Sequence, residues 1–513
     1  MEIKRIWQMP NKNTFDIKPI KELIMKYKGM LPEDAIIADP FANKNKIANI
    51  TNDLDPQYDT THHMDATDFL KMLGDNSIDM LLYDPPYCYD KDTMILTRTG
   101  WKNIANVTSD DEIATRHPDG KLEYYKPTYI TKKDYVGKMI EIKNDNVDLL
   151  VTPNHNCLVR VDDENDMYDV FEADMLKTFD KPITFTSFVQ TDINPAIFAV
   201  VPSVHNKNNG ITYSEKEWYT VEMMRFIGIF LRYGDTVAAY TKNKSSGKIK
   251  VNYKTVLALK DLSDREEKLI ERTIMRTRPT FHDHIFKRLK NGYVIEGKQL
   301  YTYMSQFKHK EDRIIPQCLK ECSHQEYNKM LAFLFAHNSC FKTSSKQFAY
   351  DLQEIILKAG HRATITKDGK EYAVKFADAT NKGFVVNKED IKEIDFEGEI
   401  YCVSVPNSVI MVQRNGKPCW CGNSPRQVSE CYKNLGQTVN METTQASYWS
   451  KQKAEIGRIV KDGGYVITCS WNSGGIGKKY GFEIVEILLV PHGGWHNDTI
   501  VVVEKKTEKK GDN

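Results

Sequence analysis

Side chains able to carry out nucleophilic and proton-transfer chemistry lie at widely separated points of this 513-residue sequence. The motif Asp84-Pro85-Pro86-Tyr87 follows an apolar run and leads directly into Cys88, a thiol nucleophile. Thr152 and His155 follow about sixty residues later and stand three residues apart. Asn423-Ser424 brings a side-chain amide and a hydroxyl nucleophile. The sequence therefore offers two nucleophiles and a pair of residues suited to proton transfer.

The composition is that of a chain that can bury a core, with 41% hydrophobic and 27% charged residues. Its length suggests three or four domains of about 150 residues. Lys and Arg number 71 against 70 Asp and Glu, which excludes a strong overall basic field for nucleic acid. No apolar run reaches the roughly 18 residues that a membrane crossing needs. Ten scattered cysteines and the lack of a secretion signal predict a cytoplasmic protein with reduced thiols, in a bacterial, archaeal or phage-infected cell.

The two ends of the chain each contain part of an α/β domain. Before residue 88, apolar runs alternate with helical spacing, which predicts strands of a parallel, doubly wound sheet. The strands that this sheet still needs lie after residue 423, where a helical segment precedes a strand and an antiparallel pair. Joined, the two ends give 177 residues, the size of a single Rossmann-like domain. The predicted strands are 34–41, 48–55, 78–83, 465–471, 482–490 and 499–504.

The 336 residues between these ends, 88–423, have a different character. They are β-rich at both ends and helical by periodicity in the centre. The order of Cys at the start, a TxxH motif, and Asn before a hydroxyl residue at the end resembles an intein of the Cys-initiated class. The resemblance implies an all-β Hint splicing domain that interrupts the α/β sheet and itself carries an α+β domain. The predicted domains are 1–87 and 424–513 for the host, 88–215 and 381–423 for the Hint domain, and 216–380 for the domain that it carries.

The intein resemblance assigns roles at the first junction. Cys88 would attack the carbonyl of Tyr87 and convert that peptide bond into a thioester. Because an amide is a poor electrophile, its nitrogen must be polarised and its oxygen held, and Thr152 and His155 match the pair that does so in inteins. Cys402, which stands where many inteins have Asp, would support proton transfer.

At the second junction, Ser424 would take the acyl group as an ester and Asn423 would cyclise to release the insert, with no cofactor. Inteins usually have His before the terminal Asn, whereas this chain has Gly422. Cyclisation must therefore be assisted differently or be slow. The alternative is a Hint domain that only cleaves.

The helical centre resembles a LAGLIDADG homing endonuclease. Residues 226–235 match its first helix, and 331–340 would be the second. In that family each helix ends in an acid that holds Mg²⁺, but here those positions fall on Tyr233 and Asn338, and Asp235 comes two residues late. The resemblance therefore predicts a degenerate domain with little or no nuclease activity. A helical insert with ordinary apolar stripes is the other interpretation.

The motif Asp84-Pro85-Pro86-Tyr87 resembles the catalytic loop of amino-methyltransferases that use S-adenosyl-L-methionine and usually methylate adenine N6 in DNA. The resemblance implies that Asp84 accepts a hydrogen bond from the target amine. The carbonyls of Pro85 and Pro86 can accept the other amine hydrogen. Tyr87 can stack on a base flipped out of the duplex. The predicted partner is therefore DNA, and no obligate protein partner is evident.

Further residues of the two ends match the cofactor motifs of the same family. Asp39 and Phe41 lie in the first motif and Asp53 follows the second strand, where an acid binds ribose hydroxyls. Asp65 lies in a segment near the adenine, and Phe15 in the motif that closes over the methionine end. One departure is a polar run, 43–46, where the family usually has Gly.

Several alternatives stay open for the host. The spliced domain could act on RNA, on cytosine N4 or on protein glutamine, or it could be a non-catalytic nucleic-acid-binding module. Asp84 counts against the glutamine reading, which favours Asn. Cys318, Cys322 and His324 suggest zinc, but a fourth ligand at a suitable spacing is absent from the sequence, so we predict no metal.

Overall fold

Strands from both ends of the chain pair in one sheet. The computed structural model describes residues 2–507 except 10–13, 43, 54–57, 65, 84–87, 128, 154, 162–167, 180, 243–246, 248, 260–261, 282–283, 337, 378–382, 423–446, 471–474 and 492–498. Seven of the described strands form the sheet, which we call the host sheet. In spatial order they are Glu2–Arg5, Phe482–Val490, Thr499–Lys506, Val460–Ser470, Ile78–Tyr83, Ile37–Asp39 and Ile50–Thr51.

The middle of the host sheet is parallel. The strand Ile78–Tyr83, which we call the central strand, runs parallel to Ile37–Asp39 on one side and to Val460–Ser470 on the other. The strand Thr499–Lys506 is antiparallel to both of its neighbours. The two chain segments on either side of residues 88–423 are therefore adjacent in space although they are far apart in sequence.

Both faces of the host sheet are covered, because successive side chains of a strand point to opposite faces. Met80 and Leu82 of the central strand join an apolar cluster with the helix Lys18–Lys28. Leu81 and Tyr83 join a second cluster on the other face. That cluster includes residues of two helices, Ala66–Met72 and Ser447–Ile459.

The described residues between 88 and 422 leave the host sheet and form two units, and the first of these is a β-rich unit around a closed barrel. A long antiparallel pair, Tyr129–Lys143 with Ile391–Ser404, joins the two halves of this unit. The barrel strands are Tyr89–Asp90, Tyr129–Lys143, Asp148–Val151 and Ile391–Ser404. A second sheet contains Met94–Thr97, Gly100–Asn103, Ile113–Arg116, Leu122–Tyr125, Val409–Arg414 and Lys417–Gly422. Two shorter pairs are Asn156–Val159 with Asp169–Glu172, and Ile183–Phe185 with Phe384–Val386.

A third unit, which we call the helical unit, lies between the two halves of the β-rich unit and has its own apolar core. Its core begins earlier than the predicted boundary at residue 216, because Val201 packs with Trp218 and because Phe198–Val201 pairs with Lys216–Tyr219. The helices are Thr220–Tyr233, Asp264–Thr277, Lys298–Ser305, His324–Leu334 and Lys346–Lys358. The remaining strands are Val204–Asn206, Ile211–Tyr213, Gly234–Lys242, Ile249–Ala258, Ile285–Leu289, Gly292–Glu296, Cys340–Thr343, Arg362–Asp368 and Glu371–Ala377.

The helical unit is docked on the turn of the hairpin Val409–Arg414 and Lys417–Gly422, which we call the terminal hairpin. The buried amide of Gln353 donates to the carbonyl oxygen of Gly416 at 2.9 Å and to that of Ala363 at 3.2 Å. Gly416 has a φ of 77°, and a Cβ at this position would overlap the carbonyl group of Ile365. The turn therefore requires glycine both for its backbone conformation and for its contact.

None of the helices in the described part of the chain combines the length and the apolar character that a membrane crossing requires. In the same part, no group of three or more His, Cys, Asp or Glu side chains is arranged to hold a metal ion.

Replacement of Gln353 by Ala tests the docking of the helical unit. We expect the free energy of unfolding to fall by about 2 kcal/mol, because a buried amide that donates two hydrogen bonds is lost. Urea unfolding of a chain that also carries Cys88→Ala and Asn423→Ala gives the value without interference from chemistry at the junctions.

The matched control is Gln347→Ala on the same helix. Gln347 is exposed and bonds within its own helix, to Asp351 at 2.8 Å. We expect this change to stay within about 0.5 kcal/mol. Equal urea midpoints for the two variants would contradict the proposed role of Gln353.

Candidate functional site

Cys88 lies in the interior, at the start of the barrel, with 1% of its surface exposed. Its backbone N–H donates to Oγ1 of Thr152 at 3.0 Å, and the backbone N–H of Thr152 donates to the carbonyl oxygen of Cys88 at 3.0 Å. The strand Tyr89–Asp90 fixes this arrangement because it pairs with Asp148–Val151 on one side and with Ile391–Ser404 on the other. The nitrogen that Thr152 contacts is the one that would leave if the bond from Tyr87 to Cys88 were broken.

His155 is fully buried beside this pair. Its backbone N–H donates to the carbonyl oxygen of Thr152 at 2.9 Å. Its ring meets the edge of Tyr89 at 4.1 Å between centroids, and its imidazole also interacts with the buried thiol of Cys421. The arrangement suits proton transfer near Cys88.

Cys402 lies on the strand Ile391–Ser404, opposite Thr131, and is 5% exposed. It shares one apolar cluster with Cys88. The other buried members of that cluster are Met139, Leu150 and Ile400. The structure thus brings together four of the predicted site residues, which are Cys88, Thr152, His155 and Cys402.

The terminal hairpin brings the far end of residues 88–423 to the same place. Gly422 is the last described residue before the gap at 423–446. Its carbonyl oxygen accepts a hydrogen bond from the hydroxyl of Tyr89 at 2.5 Å. A Cβ on Gly422 would lie 2.6 Å from the Cβ of Asn156 and 2.7 Å from its carbonyl oxygen. The position is therefore closed to the histidine that the resemblance would place there.

The remaining predicted residues of the two junctions lie outside the described residues. These are Asp84, Pro85, Pro86 and Tyr87 before the insert, and Asn423 and Ser424 at its end. Asp65 of the predicted cofactor site also lies outside them. Their roles stay predictions from the sequence.

A buried charge network, which the motifs did not reveal, ties the two ends of the insert together. The guanidinium of Arg414 donates to Asp90 at 2.9 Å and to Asp148 at 2.7 Å. Thr93 and Asn415 donate to the other two carboxylate oxygens, at 2.7 and 3.0 Å. Burial raises the pKa of Asp90, although Arg414 opposes this shift. In the sequence, the only sign of this network is a charged residue, Arg414, at the end of an apolar strand.

Three of the predicted cofactor residues meet at the carboxyl edge of the host sheet. Asp39 ends its strand, is buried, and accepts from the N–H of Phe41 at 3.0 Å and from Nδ2 of Asn45 at 2.8 Å. Phe41 meets the ring of Tyr83 edge-on at 5.8 Å, and Asp53 follows the neighbouring strand. Parallel strands end at the same edge, so these side chains share one region.

Phe15 has a different place from the other predicted cofactor residues. It is buried in the apolar cluster of the helix Lys18–Lys28, together with Met80 and Leu82 of the central strand.

The two helices predicted from the homing-endonuclease resemblance pack against each other. The first, Thr220–Tyr233, contacts the second at Gly228, where a Cβ would overlap the backbone carbonyl of Met330. The second helix is His324–Leu334, not 331–340 as predicted, because Ser323 and Glu326 form a capping box that sets its start.

The polar residues at the ends of these helices do not form a pair of acids. Tyr233 is the last residue of its helix, and Asn338 lies beyond the end of the other. Asp235 lies in the strand that follows Tyr233, and His309 contacts its carboxylate at 2.7 Å.

The chain is similar to known proteins only in part, and no family model matches it. It is 29% identical over 303 residues to the ATP-dependent Clp protease proteolytic subunit of Chlamydomonas moewusii, covering 55% of this chain and 28% of that protein. It is 24% identical over 403 residues to the DNA-directed RNA polymerase subunit beta C-terminal section of Stigeoclonium helveticum, covering 66% of this chain and 36% of that protein. The chain thus spans about a third or less of the length of these relatives.

Two kinds of solved structure are also similar to parts of the chain. Mesophilic variants of the homing endonuclease I-DmoI match 31% of this chain and 89% of their own, at 13% identity and a TM-score of 0.24. The AceL NrdHF class 3 split intein matches 66% of this chain and all of its own, at 11% identity and a TM-score of 0.22.

Replacement of Arg414 by Met tests the charge network. The side chain of Arg414 is 14% exposed, and those of Asp90 and Asp148 are 3% and 1% exposed. We expect the free energy of unfolding to fall by about 3–5 kcal/mol, because two buried carboxylates lose their counter-charge. Urea unfolding of the chain with Cys88→Ala and Asn423→Ala measures the change.

Lys132→Met is the matched control, since Lys132 pairs with Glu399 in the same barrel but is 56% exposed. An exposed ion pair contributes about 1 kcal/mol or less. A loss for Arg414→Met no larger than that for Lys132→Met would show that the network does not hold the site.

Proposed function

We propose that residues 88–423 are a self-splicing insert of the intein type that joins Tyr87 to Ser424. One observation carries the proposal. Tyr89, the second residue after the first junction, donates to the carbonyl of Gly422, which directly precedes Asn423 at the second junction. A ligation of two distant chain segments needs both junctions at one place.

The proposed reaction has four steps and needs no cofactor. The thiol of Cys88 attacks the carbonyl carbon of Tyr87, and the nitrogen of Cys88 leaves as an amine, which gives a thioester. The hydroxyl of Ser424 displaces the thiol and gives an ester. The side-chain amide of Asn423 attacks its own backbone carbonyl and expels the amine of Ser424. That amine then attacks the ester carbonyl and the hydroxyl of Ser424 leaves, which gives an amide between Tyr87 and Ser424.

The geometry near Cys88 supports roles for its buried neighbours. Oγ1 of Thr152 holds the N–H of the bond that would break, at 3.0 Å. His155 is buried beside Thr152, and its ring meets the ring of Tyr89, the residue that follows Cys88. We assign proton transfer to the leaving nitrogen to His155, and a supporting role to Cys402, which shares the apolar cluster of Cys88.

The relatives add an independent argument. A protease subunit and a polymerase subunit have unrelated activities, yet each is similar to more than half of this chain. Similarity that does not follow the activity of the relative is what an insert of independent function would produce.

For the host, formed by 1–87 and 424–513, we propose an S-adenosyl-L-methionine-dependent methyltransferase acting on adenine N6 in DNA. The proposal rests on the motif at Asp84–Tyr87 and on the acids at the carboxyl edge of the host sheet. The residue types at this edge suit the cofactor. Asp53 follows the second strand, where an acid can bind ribose hydroxyls, and the apolar side chains of Phe41 and Met64 pack near the same strand. S-adenosyl-L-methionine would supply the methyl group, and Asp84 would orient the target amine.

Other substrates belong to the same proposal as alternatives. RNA and cytosine N4 present the same exocyclic amine chemistry, and a non-catalytic module would bind nucleic acid without binding the cofactor. Calorimetric binding of S-adenosyl-L-methionine to the spliced protein separates an enzyme from a module.

A Hint domain that only cleaves would give the separate fragments without ligation. We propose little or no nuclease activity for the helical unit, since Tyr233 and Asn338 stand where carboxylates would be needed.

The splicing proposal predicts a ligated product of 177 residues, about one third of the precursor in mass. Intact mass spectrometry after expression should detect this product together with the excised 336-residue insert. The double substitution Cys88→Ala and Asn423→Ala should leave only the precursor, because both bond-breaking steps lose their nucleophile.

The control for the splicing experiment is Cys340→Ala, a partly exposed cysteine of the helical unit, which should still splice. A wild-type chain that stays full length through prolonged incubation under mild reducing conditions would refute the splicing proposal.

The insert also packs against the host beside the end of the central strand. Phe171 and Met175 of the insert join the apolar cluster that contains Phe69, Leu70 and Tyr83 of the host. Tyr83 directly precedes the proposed catalytic loop. The insert therefore packs in the same cluster as Tyr83, the last residue of the central strand, and we propose that the precursor cannot accept a target base.

The precursor with Cys88→Ala and Asn423→Ala should transfer methyl groups to DNA at least about tenfold more slowly than the spliced protein, because access to the loop is blocked. Incorporation of a tritiated methyl group into unmethylated DNA measures the rate. Cys340→Ala, which should splice, is the control and should match the wild-type product. Full methyl transfer by the unspliced chain would reject the blocking role of the insert.

A further inference from the structure

We propose that Tyr89 is a positioning residue for the cyclisation of Asn423, and that it acts by holding the carbonyl of Gly422. The inference rests on the proposed splicing function. It assigns to a residue at the first junction a task at the second junction, where Gly422 has no side chain of its own to offer.

Tyr89 is held rigidly enough to position another group. It is fully buried, and its backbone pairs with Val151 on one side and Tyr401 on the other. Its hydroxyl is 2.5 Å from the carbonyl oxygen of Gly422. Burial raises the pKa of its phenol well above the ordinary value, so the group stays protonated and donates its hydrogen bond.

The strand that ends at Gly422 is fixed by further contacts up to the same point. The backbone N–H of Trp420 donates to the carbonyl oxygen of Thr186 at 2.8 Å. The thiol of Cys421 lies 3.4 Å from the carbonyl oxygen of Asn156. In the described part of the chain, the bond from Tyr89 is the last of these restraints before Asn423, and it acts on the peptide group to which Asn423 is attached.

The chemistry of cyclisation explains why this restraint matters. The side-chain nitrogen of Asn423 must approach its own carbonyl carbon and form a five-membered ring, while the bond to the nitrogen of Ser424 breaks and that nitrogen leaves as an amine. A peptide group is planar, so holding the oxygen of Gly422 also fixes the plane that contains the nitrogen of Asn423. Fewer backbone conformations then compete with the one that reacts.

A side chain at position 422 cannot supply a hydrogen-bond donor in place of Tyr89. A Cβ there would lie 2.6 Å from the Cβ of Asn156, and any larger side chain would have to displace that neighbour. A hydroxyl delivered from the adjacent barrel strand reaches the same peptide group without needing that space.

The test measures the two junctions separately in chains carrying Tyr89→Phe, which keeps the ring beside His155 and removes only the hydroxyl. In a Cys88→Ala background, the rate of release of residues 424–513 reports cyclisation. In an Asn423→Ala background, the rate of cleavage by added dithiothreitol after Tyr87 reports thioester formation. We expect cyclisation to slow by about tenfold or more, and thioester formation to change by less than about twofold.

Tyr401→Phe is the matched control, because Tyr401 is a buried tyrosine on the neighbouring strand, and its hydroxyl bonds to Glu399 at 2.6 Å instead. It should leave both rates within about twofold. A selective loss at the second junction with Tyr89→Phe alone supports the proposal. Equal losses at both junctions, or no loss, overturn it.

Gly422→Ala provides a second variant should Tyr89→Phe fail to fold. The added methyl group must push the strand away from Asn156 and so move the carbonyl that Tyr89 holds. We expect the same selective slowing of cyclisation, and unchanged cyclisation would overturn the proposal. If the unsubstituted chain splices while Tyr89→Phe retains its cyclisation rate, the positioning role fails alone. If the unsubstituted chain gives no ligated product, the splicing function itself fails.

Discussion

The pairing of Arg414 with Asp90 and Asp148 is the constraint on which the candidate site depends. Asp90 and Asp148 come from the first part of residues 88–423 and Arg414 from the end, and all four carboxylate oxygens accept a hydrogen bond. A buried ion pair contributes little net stability over an apolar replacement, but an unpaired buried charge is costly. We infer that the network mainly selects one arrangement of the strands. That arrangement sets Tyr89 against Gly422.

The same arrangement explains how the host sheet can form around a large insert. The central strand Ile78–Tyr83 and the strand Val460–Ser470 are parallel neighbours, with Leu82 opposite Ile467. Parallel strands need a crossover connection, and a crossover can carry an added domain if the two ends of that domain lie together. The bond between Tyr89 and Gly422 meets this condition. Proximity of the junctions therefore serves both the folding of the host and the proposed ligation.

Features set by local pattern could be predicted from the sequence, and features set by distant partners could not. The strand Phe482–Val490 has the predicted bounds, because alternation and flanking turns define it. The helix at His324–Leu334 begins before the predicted one, although Ser323 and Glu326 carried a readable capping signal. No local pattern tells which of 70 acidic residues will face Arg414.

Gly422 illustrates the difference between a residue pattern and the geometry that it stands for. Taken along the chain, glycine in place of histidine indicates a weakened second junction. In three dimensions the position is closed by Asn156, and a hydroxyl reaches the same peptide group from Tyr89, which is remote in sequence but adjacent in space. A buried site needs a donor at a point in space and not at a position in the sequence. A missing motif residue at such a site is therefore evidence of lost function only when no neighbouring strand can supply the group.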